Sequence, residues 1–364
     1  WRHQRRLAQP VFYKNQMAGL FKTMGETAER YFDDLEKRIK ADGDIDLSKE
    51  MMNVTADIVL KTLFSSDNPS NQQEMYETME IAQEYIMSRI SSPHLIPFNY
   101  INGKHRKFKK ALNIFDRNVM NVIKERRKDP NPPADLLTML LMAKDEDTGE
   151  GMSDKQLRDE AITLYSAGHE TTANALAWTI YELAKKPEII EKIREEVETQ
   201  LGDRLPTFED LRNLQYTKQV IEEGMRLYPP AYAVGRESIE ADEIIGYPVP
   251  RKSIIFISIY AIHRDPKYWE NSEEFDPSRF EPEKVKERPR LAYLPFGAGP
   301  RMCIGNHFAM MEMQLILAMW ARKFNFKPDI NHPVEENPLV TLKPKYGIKM
   351  KLTKNVSAVG QPTD

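Results

Sequence analysis

Apolar residues recur every three or four positions over most of the first two thirds of the chain, the period of helices with one buried face. Residues 17–40, Leu47–Phe64 and 72–90 carry that spacing, and so do Lys104–Lys128, 153–185, Pro187–Leu201, 214–227 and 304–324. Ser153, with Gln156 three positions on, predicts a capping box at the start of the longest of these. Tyr228-Pro229-Pro230 stops the helix that precedes it. Between 234 and 259 the pattern changes to short β-type runs, at 243–245 and 253–257, with Gly246 and Pro248 as turns. Near the C-terminus, 339–342 and 347–352 read as a closing hairpin. The expectation is a mainly α chain with small β-sheets, forming one interlocked domain over residues 1–364.

Two stretches depart from these periods. Pro93, Leu95, Ile96, Pro97, Phe98 and Tyr100 make 91–101 an apolar, proline-broken connector. It reads as a packed loop or, less commonly, as a lid or a membrane-touching surface. After it, Lys104, His105, Arg106, Lys107, Lys109 and Lys110 form a basic cluster, a solvated face or a docking surface.

Composition narrows the class. The 364 residues are 41% hydrophobic and 29% charged, with a net charge of -3, which argues against a nucleic-acid partner. No run approaches the roughly 20 apolar residues of a membrane span, so a soluble, cytoplasmic monomer is expected. A single cysteine excludes an intrachain disulfide. Trp1 already lies in a helical pattern without an initiator Met, and an N-terminally incomplete chain is the expectation.

That cysteine carries the chemistry. Alone it would be an ordinary buried thiol. Cys303 instead follows Phe296-Gly297-Ala298-Gly299-Pro300-Arg301-Met302 and precedes Ile304-Gly305 and a helix. Glycines and proline predict a rigid loop whose backbone can approach a flat ligand. The positive end of the helix favours thiolate over thiol, and a thiolate is a strong donor to haem iron. Ala167-Gly168-His169-Glu170-Thr171-Thr172 breaks the preferences of a helix interior. Gly168 permits close approach, and Glu170 with Thr171 forms an acid–alcohol pair able to relay protons. The plain alternative is a small-residue helix contact, and His169 reads as hydrogen-bonded, not as a ligand. Glu223 and Arg226 share one helical face, and Arg279 could complete a buried ionic network with them.

These elements resemble the cytochrome P-450 family. Phe296, Gly299, Arg301, Cys303 and Gly305 match its haem-binding signature, Glu223 and Arg226 its E-x-x-R pair. Pro277, Arg279 and Phe280 are similar to its P-E-R-F element with Ser278 in place of Glu. Ala167, Gly168, Glu170 and Thr171 match its oxygen-activation motif; Trp1 and Arg5 resemble the W-x-x-x-R of its propionate-binding helix, and Arg236 stands where another propionate arginine is common. The resemblance, most similar in spacing to bacterial fatty-acid hydroxylases, implies haem b with Cys303 as the metal ligand. It implies O2 as co-substrate and NAD(P)H electrons through a ferredoxin, flavodoxin or flavin reductase. It implies a hydrophobic substrate, fatty acids first, against Leu164, Ala167, Gly168, Ala231, Tyr232, Ala233 and Val234. A peroxygenase on the same fold, or a non-catalytic gas-sensing haem protein, are the alternatives.

Overall fold

A computed structural model describes residues 1–39, 43–65, 69–92, 94 and 96–355; Pro93 and Leu95 of the connector lie outside the described residues. The helices are α1 (Arg2–Ala8), α2 (Lys14–Arg38), α3 (Leu47–Phe64), α4 (Pro69–Ser91), α5 (Ile96–Ile101), α6 (Lys104–Lys128) and α7 (Leu136–Met142). They continue with α8 (Asp154–Ala184), α9 (Pro187–Leu201), α10 (Gln215–Leu227), α11 (Ile259–Ile262), α12 (Pro282–Glu287) and α13 (Asn306–Lys323). Two of them are buried on every side. In α8 the run Thr172–Ile180 is inaccessible, and in α13 the run Met311–Ala321. All-round burial marks a helix inside the core rather than on it. α3, α6, α10 and α13 all pack on α8, which makes it the axis of the molecule. The outer helices bury one stripe: α6 inserts Ala111, Phe115, Val119 and Ile123 at four-residue intervals and turns its lysines outward. Lys104, Arg106, Lys107, Lys109 and Lys110 are solvated.

Ser153 caps α8 as expected. Its hydroxyl accepts the Gln156 N–H at 3.3 Å, and the Gln156 side chain returns the bond to the Ser153 N–H at 2.9 Å. The connector is partly helical, because α5 occupies it; Phe98, Tyr100 and Ile101 on α5 are exposed.

The strands are short. β1 (Asp44–Asp46), β9 (Lys349–Lys354) and β6 (Phe324–Pro328) form an antiparallel sheet with β9 in the middle. β2 (Ala233–Glu237) pairs with β5 (Ile254–Ser258), β3 (Asp242–Ile244) with β4 (Tyr247–Val249), and β7 (Glu336–Pro338) with β8 (Leu342–Pro344). The expected closing hairpin is therefore wrong. Its two halves belong to different sheets, since β9 matches Met350 and Leu352 to the buried residues Ile45 and Phe326. The β8 segment turns back on β7 instead. Among the described residues no helix is long and apolar enough to cross a membrane.

Candidate functional site

The loop of Cys303 is built by its own backbone. Gly297 and Gly299 take φ of 70° and 71°, a left-handed conformation that only glycine adopts freely. The loop then closes on itself: Gly297 N–H donates to Leu294 O at 3.0 Å, and Cys303 N–H to Phe296 O at 2.9 Å. α13 begins three residues beyond the cysteine, at Asn306. Cys303 is exposed toward the cavity, but the protein packed around it desolvates the thiol and pushes it up, while the Gly305 N–H and the charge of Arg5 pull it toward thiolate. Desolvation wins in the protein alone, contrary to the expectation from the helix end. A metal ion on the sulfur reverses that balance, because coordination deprotonates a thiol outright.

Across a cavity of about 300 Å³ stands α8. Leu164, Ala167, Gly168 and Thr171 line it from that side, and Phe296, Cys303 and Gly305 from the other. Gly168 also serves the plainer role, since a Cβ there would come within 3.2 Å of Val59 on α3. The Thr171 hydroxyl donates to Ala167 O at 2.8 Å, so the helix stays closed while the oxygen remains beside the cavity. Glu170 does not line the cavity. Its carboxylate is buried and accepts from Thr341 Oγ1 at 2.9 Å and from the Gln83 amide. Thr341 is held in turn by Asn174 at 3.0 Å. His169 is buried, hydrogen-bonded to Tyr165 O at 2.7 Å and kept neutral by burial.

Ala231, Val234 and Arg236 line a third side. Tyr232 and Ala233 do not, contrary to expectation. Side chains alternate along β2, so Val234 and Arg236 share one face and Ala233 takes the other. Tyr232 reaches away to donate to Leu339 O at 2.9 Å. Arg301 borders the cavity with its guanidinium 3.9 Å over the ring of Trp1, while Arg5 bonds Gln9 at 3.4 Å. Val59, Leu63, Phe308 and Met313 also line it. Their spacing in sequence is visible but indistinguishable from that of core residues. A soft sulfur on one wall, apolar sides and two guanidinium groups at the margin fit a flat macrocycle carrying iron and two carboxylates.

Behind the loop lies a buried ionic cluster. Arg226 and Glu223 are inaccessible and paired twice, at 2.7 and 2.8 Å. Arg279 approaches Glu223 to 3.5 Å, and Asp276 N–H donates to the same carboxylate at 2.8 Å. Between the two lies Gly224, where any Cβ would strike Thr179 of α8.

A family model described as Cytochrome P450 matches residues 1–352. The Arabidopsis thaliana protein LUTEIN DEFICIENT 5, chloroplastic, is 30% identical over all of this chain, which spans 64% of that protein. The mouse leukotriene-B4 omega-hydroxylase 3 is 32% identical, with 97% of this chain and 71% of the relative aligned. The crystal structure of the cytochrome P450DA heme domain superposes with a TM-score of 0.88 at 27% identity, covering 96% of this chain and 76% of that one. With a family model matching nearly its whole length and a fold shared with a solved member, the chain belongs to the cytochrome P450 family.

Proposed function

We propose that the chain is the catalytic part of a monooxygenase that inserts one oxygen atom from O2 into a hydrophobic substrate, with fatty acids favoured. Electrons come from NAD(P)H through a separate ferredoxin, flavodoxin or flavin reductase. The observation that carries the reading is the placement of Cys303 across an apolar cavity from Gly168 and Thr171. In this reading Cys303 is the iron ligand, and Arg236 and Arg301 hold the propionates. Haem b bound there supplies dioxygen activation, assisted by electron donation from the thiolate. The chain's own part is to exclude water with Leu164, Ala231 and Val234, and to hold a hydroxyl proton at Thr171 Oγ1. Glu170 acts behind that hydroxyl and not in the cavity, by fixing α8 to Thr341. The leukotriene hydroxylase among the relatives supports an acyl-chain substrate.

The peroxygenase alternative is favoured by one feature, that the acid of the acid–alcohol pair faces away from the cavity. Thr171→Ala separates the two readings. With a surrogate reductase and medium-chain fatty acids, the variant should keep its carbon monoxide spectrum and continue to consume NADPH. Product should fall and hydrogen peroxide rise in proportion. Product per NADPH equal to wild type would end the proton-relay role of Thr171 and move the peroxygenase ahead.

A further inference from the structure

His263 lies between the ionic cluster and the cysteine loop and belongs to neither. It is wholly buried at the end of α11. Its Nε2 accepts the Leu294 N–H at 2.7 Å, and its Nδ1 lies 3.2 Å from Arg226 O. Its carbonyl accepts from Arg226 Nη1 at 2.9 Å. A backbone N–H can only donate and a carbonyl can only accept, so the two ring bonds fix one tautomer, with the proton on Nδ1. Tyr293 stacks on the imidazole at 5.1 Å and Trp269 meets it edge-on at 6.5 Å. Those rings leave no room for the side chain to turn. Burial pushes the imidazole down to about 3, which keeps it neutral.

We propose that His263 is a positioning residue, a neutral imidazole clamp that ties the backbone of Arg226 to the backbone of the loop carrying Cys303. The route is continuous. Arg226 O holds the imidazole, the imidazole holds Leu294 N–H, Leu294 O holds Gly297 N–H, and Phe296 O holds Cys303 N–H. Both ends of the glycine-bearing turn are thus referred to α10, the helix of the ionic cluster. Without the clamp, the half-buried Leu294 N–H would lose its acceptor, and the turn would be anchored only through its own bonds. The role in iron ligation rests on the function proposed above; the clamp itself does not.

Residue-resolved hydrogen exchange tests it, on both the haem-free and the haem-loaded chain. In the wild type the Leu294 amide should exchange as slowly as the amides of α10. Fast exchange there would overturn the proposal before any variant is made. His263→Phe preserves the packing and removes both ring bonds. It should speed exchange at Leu294 by about tenfold or more, the equivalent of one buried hydrogen bond. It should also convert part of the carbon monoxide spectrum to the form lacking thiolate. His263→Gln, whose amide offers one donor and one acceptor, should restore part of both. Wild-type exchange and spectrum in His263→Phe would show that the ring merely fills space. A wild-type chain with no thiolate spectrum but a protected Leu294 would refute the proposed function and leave the clamp standing.

Discussion

Arg226→Ala is the perturbation whose size follows most directly from the structure. The guanidinium has five N–H donors, and all are in use. Two go to Glu223 at 2.7 and 2.8 Å, and three go to the carbonyls of His263, Ser272 and Glu274 at 2.9, 2.7 and 2.9 Å. Truncation leaves Glu223, itself inaccessible, with Arg279 at 3.5 Å and one backbone N–H. Removing one partner of a buried pair costs roughly 3–5 kcal/mol. The three orphaned carbonyls would add roughly 1–3 kcal/mol each if no water reached them, so the first figure is the lower bound. A loss of about 4 kcal/mol lowers the folded-to-unfolded ratio about a thousandfold, against a usual margin of about 5–15 kcal/mol. Arg226→Lys, with three donors, should fall between. Urea unfolding followed by tryptophan fluorescence is a suitable assay, because Trp269 lies 5.2 Å from the guanidinium. Haem retained after gel filtration is the second readout. An Arg226→Ala chain with wild-type midpoint and haem content would show that the cluster carries no structural weight.

Two further perturbations probe the helices around the site. Gly224→Ala forces a methyl against Thr179, and such overpacking should cost about 1–3 kcal/mol; an unchanged thermal midpoint would mean that α8 and α10 separate freely. Glu312 on α13 is inaccessible, and burial, only partly offset by the Thr172 hydroxyl, raises its pKa well above the usual carboxylate range. The folded state therefore binds a proton that the unfolded state loses above about pH 4.3. Stability from this group is present below that pH and falls as pH rises toward the folded pKa. Glu312→Gln does not titrate, so its stability advantage over wild type should widen as pH rises above about 4.3. An advantage that stays constant with pH would show that Glu312 is ionised in the folded protein.

What could be read in the sequence was local. The Cys303 loop declares itself because glycines, proline and cysteine stand within ten positions, and the Ser153 cap because its partner is three residues away. The long helices followed from their period, to within a few residues at each end, whereas short ones such as α5 and α7 did not. What could not be read was pairing over long separations. Nothing near Glu170 indicates that Thr341 will hold it, and nothing near Leu294 indicates His263. The mistaken hairpin has the same cause. Residues 339–342 and 347–352 are adjacent and alternate correctly, but β8 pairs with the neighbouring β7, and the β1 partners of β9 are about three hundred positions away. Tyr232 and Ala233 were misplaced for another reason, that the alternation of β2 selects every second side chain and its phase is set by β5.

The central place of β9 bears on how such a chain is made. Residues 349–354 are made about three hundred positions after β1, yet they join Asp44–Asp46 to Phe324–Pro328. During synthesis β1 precedes its partner strand by about three hundred residues and waits meanwhile as an unpaired edge, the kind of edge that recruits other chains. Closing so long a loop adds little to the equilibrium cost, since that grows only with the logarithm of its length. The burden falls on rate, because contacts this distant in sequence form slowly. Aggregation of the nascent chain is thus the hazard this topology carries, and the Asp44 and Asp46 side chains on that early strand are the charged residues that oppose it.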